Sequence, residues 1–174
     1  MIRLRLATSE EKDKAMQIIE IGRAHLKAQG INQWQNGYPD QSRIEKDLQL
    51  KKGYFVVDDD NDILGYLCID FDGEPAYATL NGEWATSEKY VVVHRMAFSD
   101  NARGKGLASA VFDLVEDLSR ENNVFDFRID TDDGNEKMKH ILTKYGFTCR
   151  GTIWFENSIK IGFDKKIAVT KQNY

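Results

Sequence analysis

The chain has 174 residues, 41% hydrophobic and 30% charged, proportions of a soluble globular domain with a sizeable core and unlike those of a disordered chain. Its formal net charge of -4, without a long basic run, argues against nucleic acid as a partner, because phosphate-backbone binding takes a positive face. No apolar run approaches membrane-spanning length, and MIRLRLATSE is too short and too charged for a secretion signal, so a cytoplasmic protein with no membrane partner is expected.

Ile2, Leu4 and Leu6 alternate with Arg3 and Arg5, the two-residue period of a half-buried strand. Thr8-Ser9-Glu10-Glu11 reads as a capping box, a hydroxyl followed three residues later by a carboxylate. Ala15, Ile18, Ile19, Gly22 and Leu26 then carry a first helix to about Ala28, stopped by Gly30. Residues 31–39, INQWQNGYP, form an unusually aromatic loop. A second helix starts at Asp40 or Ser42, buries Ile44 and Leu48, and stops at Gly53. Residues 54–57 and 63–69 predict two strands joined by the acidic turn DDDND, a hairpin with a solvated tip. Residues 71–89 have no clean period and read as a long connection holding a short strand or helical turn. Cys68 and Cys149 lie far apart in apolar, strand-like contexts, which predicts two buried free thiols and neither a metal site nor a redox centre.

Tyr90–Phe98 is nearly all apolar, as a central strand covered on both faces should be. It leads into Arg103-Gly104-Lys105-Gly106-Leu107-Ala108 and then a helix over about 105–120, whose Leu107, Val111, Leu114, Val115 and Leu118 form an apolar stripe. Such a junction brings unpaired backbone N–H groups and the positive end of a helix dipole to one point, which suits a bound phosphate. The bland alternative is an ordinary strand-to-helix turn. A dinucleotide site is disfavoured, because the glycines do not form G-x-G-x-x-G and a hairpin precedes them. Phe125, Phe127 and Ile129 alternate with Asp126, Arg128 and Asp130 in a further strand, expected to run parallel to the central one. A helix over 135–145 carries Met138, Ile141, Leu142 and Tyr145 on one face and ends at Gly146. Strands over 149–155 and 160–163 close the chain as an antiparallel pair. With no repeat or linker in sight, one mixed α/β domain spanning 1–174 is predicted.

The element order and the central motif together resemble the GNAT acyl-CoA N-acetyltransferases. Their signature, Arg/Gln-x-x-Gly-x-Gly/Ala, is matched by Arg103, Gly106 and Ala108 in the strand–loop–helix context that the motif needs. Asn135, opening a helix that ends in Gly146-Phe147, is similar to the family's N-x-x-A…G-F segment. The resemblance implies an α/β (α+β) fold with a twisted, mostly antiparallel sheet, a central parallel strand pair and flanking helices. It implies acetyl-CoA as cofactor, wedged between the parallel strands, and an amine acceptor, a small molecule or a peptide, entering from the other side. No metal is implied. Met96, Ala97 and Phe98 match the segment whose main chain pairs with the pantetheine arm. Arg103, Gly104, Lys105, Gly106, Leu107 and Ala108 match the pyrophosphate loop, and Asn135 matches a position that contacts the cofactor arm. Lys139, Lys144 and Arg103 are candidates for the outer phosphates by charge.

Acetyl transfer needs a neutral amine, although alkylamines have a pKa of about 10.4, so a proton acceptor near the thioester is useful. His94 stands where the arylalkylamine branch of the superfamily carries a histidine; it reads either as that base or as a hydrogen-bonded core histidine. The family's usual general acid, a tyrosine five residues before the G-F phenylalanine, is replaced by Leu142, and Tyr145 is the remaining, displaced candidate. Trp34 and Tyr38, in the loop that borders the acceptor site in this fold, and Trp84 and Tyr90 are candidate substrate-binding aromatics or core plugs. Asp132-Asp133 reads as an attraction for a cationic acceptor or as part of the helix cap at Asn135. Two functions follow from the resemblance: transfer of acetyl to a primary amine in a ternary complex, or a non-catalytic acyl-CoA sensor, which the loss of the acid at Leu142 keeps open. Dimers are the commonest assembly, so a homodimer is expected if the chain assembles at all.

Overall fold

Thr8 and Glu11 close the capping box that their spacing requires. The Glu11 carboxylate accepts from Thr8 N (3.0 Å) and Thr8 Oγ1 (3.2 Å), and Glu11 N donates to Thr8 O (3.0 Å). This box joins the first strand, β1 (Arg3–Leu6), to the first helix, α1 (Lys12–Ala28), through a 3-10 turn at Ser9–Glu11. In the computed structural model, which describes residues 1–171, there follow α2 (Gln41–Gln49), β2 (Gly53–Val57), β3 (Ile63–Asp70), β4 (Asn81–Gly82), β5 (Tyr90–Phe98), α3 (Leu107–Glu121), β6 (Asp126–Asp132), α4 (Glu136–Tyr145), β7 (Thr148–Phe155) and β8 (Ser158–Lys166). Residues 172–174 of the predicted domain lie outside the described residues. The strands form one mixed sheet in the order β1-β2-β3-β5-β6-β8-β7-β4. It is mostly antiparallel, and β5 and β6 are the predicted parallel pair, joined through Tyr90–Val92 and Asp126–Arg128.

The described residues divide into two compact units. The first comprises residues 1–69 and 93–111, and its core sets Ala15, Ile18 and Ile19 of α1 and Ile44 and Leu48 of α2 against Phe55, Val57 and Tyr66. The second comprises residues 70–92 and those from Phe112 on. It holds two aromatic clusters: Tyr77, Trp84 and Tyr90 around Val92 and Ile153, and Phe112, Phe127, Tyr145 and Phe147 edge to face.

Several expectations give way. Gly53 does not stop α2: the helix ends at Gln49, the left-handed residue is Lys51 (φ 58), and Gly53 opens β2. Glycine is needed at 53 for space, since a Cβ there would lie 2.7 Å from Leu48 Cδ2 and 2.8 Å from the Tyr66 hydroxyl. Leu6 is 42% exposed, because the chain leaves the strand there and Ala7, whose N–H donates to Gly53 O, takes the inward place. Cys149 is exposed on β7, whereas Cys68 is buried; neither is in a disulfide. In the undecided stretch, a 3-10 turn at Pro75–Thr79 precedes β4, which pairs with β7 through Gly82 and Gly151. The two glycines cross so closely that a Cβ on either would meet the other strand's carbonyl oxygen at about 2 Å.

Candidate active site

In the first unit, residues 93–111 run from the second half of β5 through the glycine loop into α3. Val93, His94 and Arg95 are all buried, and Arg95 has a left-handed backbone (φ 53), which breaks the regular alternation of the strand. Its conformation is held by its side chain. The guanidinium donates in a fork to Asp47 of α2 (Nε to Oδ2 and Nη2 to Oδ1, both 2.7 Å), and Nη1 donates to the Tyr38 hydroxyl (2.7 Å). Tyr66 of β3 donates to the same carboxylate at 3.0 Å. Burial and the neighbouring Asp47 push the Tyr66 phenol well above its ordinary range. A bidentate pair this deep is costly to break singly, about 3–5 kcal/mol, since one charge would stay buried alone.

The end of β5 is tightly framed. A Cβ at Gly22 of α1 would fall 3.0 Å from Ala97 Cβ and 3.1 Å from the Trp34 ring, and one at Gly65 of β3 would fall 2.8 Å from the Phe98 ring. Trp34 thus packs against the first unit's core, with its own backbone left-handed (φ 67). Ser99 N donates to Leu64 O (2.9 Å), a 3-10 turn covers Asp100–Ala102, and His25 Nε2 of α1 lies 2.8 Å from Asp100 Oδ1. Gly104 (φ 74) and Gly106 (φ 65) both take the left-handed conformation that glycine adopts without strain. Both are exposed, with no atom within 4 Å of where a Cβ would stand. The helix begins at Leu107, later than the expected Lys105, because a left-handed Gly106 cannot belong to a right-handed turn. Among the described residues, no backbone carbonyl accepts from the N–H groups of Gly104, Lys105 or Gly106, and the first turn of α3 adds its own unpaired donors. Leu107 and Ala108 are half-buried; so is Arg103, whose burial draws its pKa down against the pull of Asp100. Backbone left open at Gly104 and Gly106, beside a helix N-terminus, fits the pyrophosphate of coenzyme A.

The second unit holds the other candidates. Asn135 is buried and caps α4, its Oδ1 accepting from Met138 N at 3.1 Å. Lys139 is held by Asp133 (3.0 Å) and Glu136 (2.9 Å), which raise its pKa, while Lys144 is exposed. Asp132 is buried against Lys160 Nζ (2.6 Å) and the Ser158 hydroxyl (2.7 Å). Leu142 is fully buried. The Tyr145 hydroxyl lies 2.6 Å from both Asp113 Oδ1 and Glu116 Oε2, and burial together with these two carboxylates pushes its pKa well above the ordinary range. Trp84 and Tyr90 stand around the protein's own cation: the Arg128 guanidinium lies 4.6 Å from the first ring and 3.9 Å from the second and donates to Thr86 O (2.7 Å). Trp84 also donates from Nε1 to Tyr77 O (2.9 Å).

Sequence reasoning missed Asp47 and the enclosure of Arg128. A signal for Asp47 existed: it stands between Ile44 and Leu48 on the face of α2 that had to be buried, where a carboxylate needs a cation.

A mixed sheet whose central strand feeds a twin-glycine loop and a helix N-terminus is the α/β arrangement that the resemblance implied. Comparison with known proteins is specific: residues 22–147 match the Acetyltransferase (GNAT) family. The chain belongs to that family, whose members transfer acyl groups from acetyl-CoA. A GNAT acetyltransferase structure from Streptococcus agalactiae 2603 is 30% identical, with a TM-score of 0.84 and 95% of each chain covered. One from Listeria monocytogenes 4b F2365 is 22% identical, with a TM-score of 0.77 over 95% of this chain and 94% of that one. An aminoglycoside acetyltransferase, AAC(6')-Ib, solved with coenzyme A, shares the fold at 19% identity, with a TM-score of 0.67 over 95% of each chain. The comparison with curated proteins found no match.

Proposed function

We propose that the chain is an acetyl-CoA-dependent N-acetyltransferase that acts on a primary amine by direct transfer in a ternary complex. The observation that carries this reading is the pair of left-handed, open glycines, Gly104 and Gly106, directly after β5 and at the start of α3. The backbone from Arg103 to Ala108 would hold the pyrophosphate, and the strand end at Met96, Ala97 and Phe98 would take the pantetheine arm. Bound there, acetyl-CoA supplies the activated thioester. Of the candidates in the second unit, Asn135 is engaged in the cap of α4 and Lys139 in its pairs with Asp133 and Glu136.

His94 is the proposed base. Of the three histidines in the chain, His25 is committed to Asp100 and His140 is exposed on α4, whereas His94 is buried in the strand that runs into the pantetheine segment. Its role is to take the proton that the attacking amine must lose. Tyr145 is a poor general acid in this arrangement, because two carboxylates hold its proton in place. The leaving thiolate of a thiol with the acidity of cysteine, about 8.5, can take its proton from solvent. Trp34 serves packing, which leaves Tyr38 as the aromatic of the loop with its hydroxyl committed to Arg95. The second reading, an acyl-CoA sensor without turnover, is favoured by the buried Leu142 and the engaged Tyr145.

Thiol release from acetyl-CoA over a panel of small amines, polyamines, aminoglycosides, amino acids and lysine peptides separates the two. Acceptor-dependent thiol is expected, and His94→Ala should lower kcat/KM by about 10²–10⁴-fold with coenzyme A affinity nearly intact. Coenzyme A binding with no thiol release for any amine would point to the sensor.

A further inference from the structure

The loop over 31–39 has no regular secondary structure, yet two arginines tie it down. Arg23 of α1 fastens its backbone, donating to the carbonyls of Trp34, Tyr38 (3.0 Å) and Pro39 (2.5 Å). Gln35 Nε2 returns a bond to Arg23 O at 3.0 Å. Arg95 fastens its side chain through the Tyr38 hydroxyl. The same guanidinium holds Asp47 with its remaining donors, and it belongs to the one residue of β5 with a left-handed backbone, between His94 and Met96.

We infer that Arg95 is a positioning residue that sets, with one buried side chain, both the acceptor-side loop and the strand segment carrying His94 and Met96. This rests on the acyltransfer reading for what the loop does, but not for the coupling itself. Asp47 is the anchor: it neutralises Arg95 and fixes the plane of the fork, so that the third donor direction is aimed at Tyr38. A lysine at 95 has the charge without the planar fork and cannot serve both partners at once. Tyr38 in turn is set before any acceptor arrives, so its ring is a fixed wall rather than an adaptable one.

Two variants test this in the full chain. Tyr38→Phe removes one hydroxyl and leaves the Asp47–Arg95 pair intact; Arg95→Lys removes the fork. Amide hydrogen exchange followed by mass spectrometry should show residues 31–39 exchanging about tenfold faster in Tyr38→Phe, the effect of losing one hydrogen bond to a charged group. Exchange over Asp126–Asp132 should stay unchanged. With the amine best used in the thiol-release panel, KM for the amine should rise about tenfold, in line with the same lost bond, while kcat and coenzyme A affinity hold. Arg95→Lys should reproduce both effects and add faster exchange over residues 94–97. Unchanged exchange over 31–39 in Tyr38→Phe would overturn the positioning role, whether or not Arg95→Lys folds. An unchanged KM for the amine beside faster loop exchange would overturn its bearing on the acceptor. Failure of the wild-type chain to release thiol would count against the acyltransfer reading alone, because the exchange measurement needs no substrate.

Discussion

Glu11 serves two neighbours at once, closing the capping box and receiving the Arg5 fork at 3.0 and 2.8 Å. Arg5, with help from Thr8, holds its carboxyl at about 2, below the ordinary 4.5. The folded value is the depressed one, so the stabilisation is fully present above a pH of about 4.5 and disappears as pH falls toward about 2. Both side chains are partly exposed to solvent, which keeps the pair's contribution to about 1 kcal/mol or less. Thermal unfolding of Glu11→Gln should therefore lie below that of the wild type at pH 6, with the gap closing by pH 2. A gap that stays constant across that range would mean that the carboxylate's charge plays no part. Tyr145 shows another use of carboxylates: Asp113 and Glu116 accept hydrogen bonds from its hydroxyl and keep the proton on the phenol, so a tyrosine that the sequence offers as an acid is locked by its neighbours.

At the scale of elements, the parts legible in the sequence are those set by local chemistry. The capping box, the Asp40 cap that accepts from Arg43 N at 2.8 Å, the left-handed Gly146 and the β2–β3 hairpin all follow from neighbours within a few residues. What could not be read depends on partners distant in the chain. Asp47 meets Arg95, Arg128 enters the space between Trp84 and Tyr90, and Gly53 is needed because Tyr66 arrives above it. The glycine loop is the intermediate case, with its position evident and its two left-handed conformations a property of the fold. A Cβ at Gly106 (φ 65) would stand in open space, but valine there takes a left-handed backbone, at a cost of about 1–2 kcal/mol. Gly106→Val should thus fold with a modestly lowered Tm and lose coenzyme A binding in a calorimetric titration, since the isopropyl group fills the space that phosphate oxygens would use. A normal affinity would put the phosphate site elsewhere.

For the whole molecule, the proposed cradle lies on the segment that runs from the second half of β5 through the glycine loop into α3. A ligand that binds this folded arrangement and not the unfolded chain adds about 2.7 kcal/mol of stability at one hundred times its Kd. For a chain of this length, each kcal/mol moves Tm by about 2–4 °C. Coenzyme A at that concentration should accordingly raise the Tm of the wild-type chain by about 5–10 °C, as followed by scanning calorimetry. NAD at the same concentration should leave it nearly unchanged, because the loop lacks the three-glycine spacing that a dinucleotide's pyrophosphate and ribose use. Equal shifts with both would reduce the site to a general pyrophosphate cradle, and the pantetheine arm would then contribute nothing at Met96, Ala97 and Phe98. A shift with coenzyme A alone requires that arm to be recognised, and it is the arm, not the phosphates, that brings a thioester to the strand bearing His94.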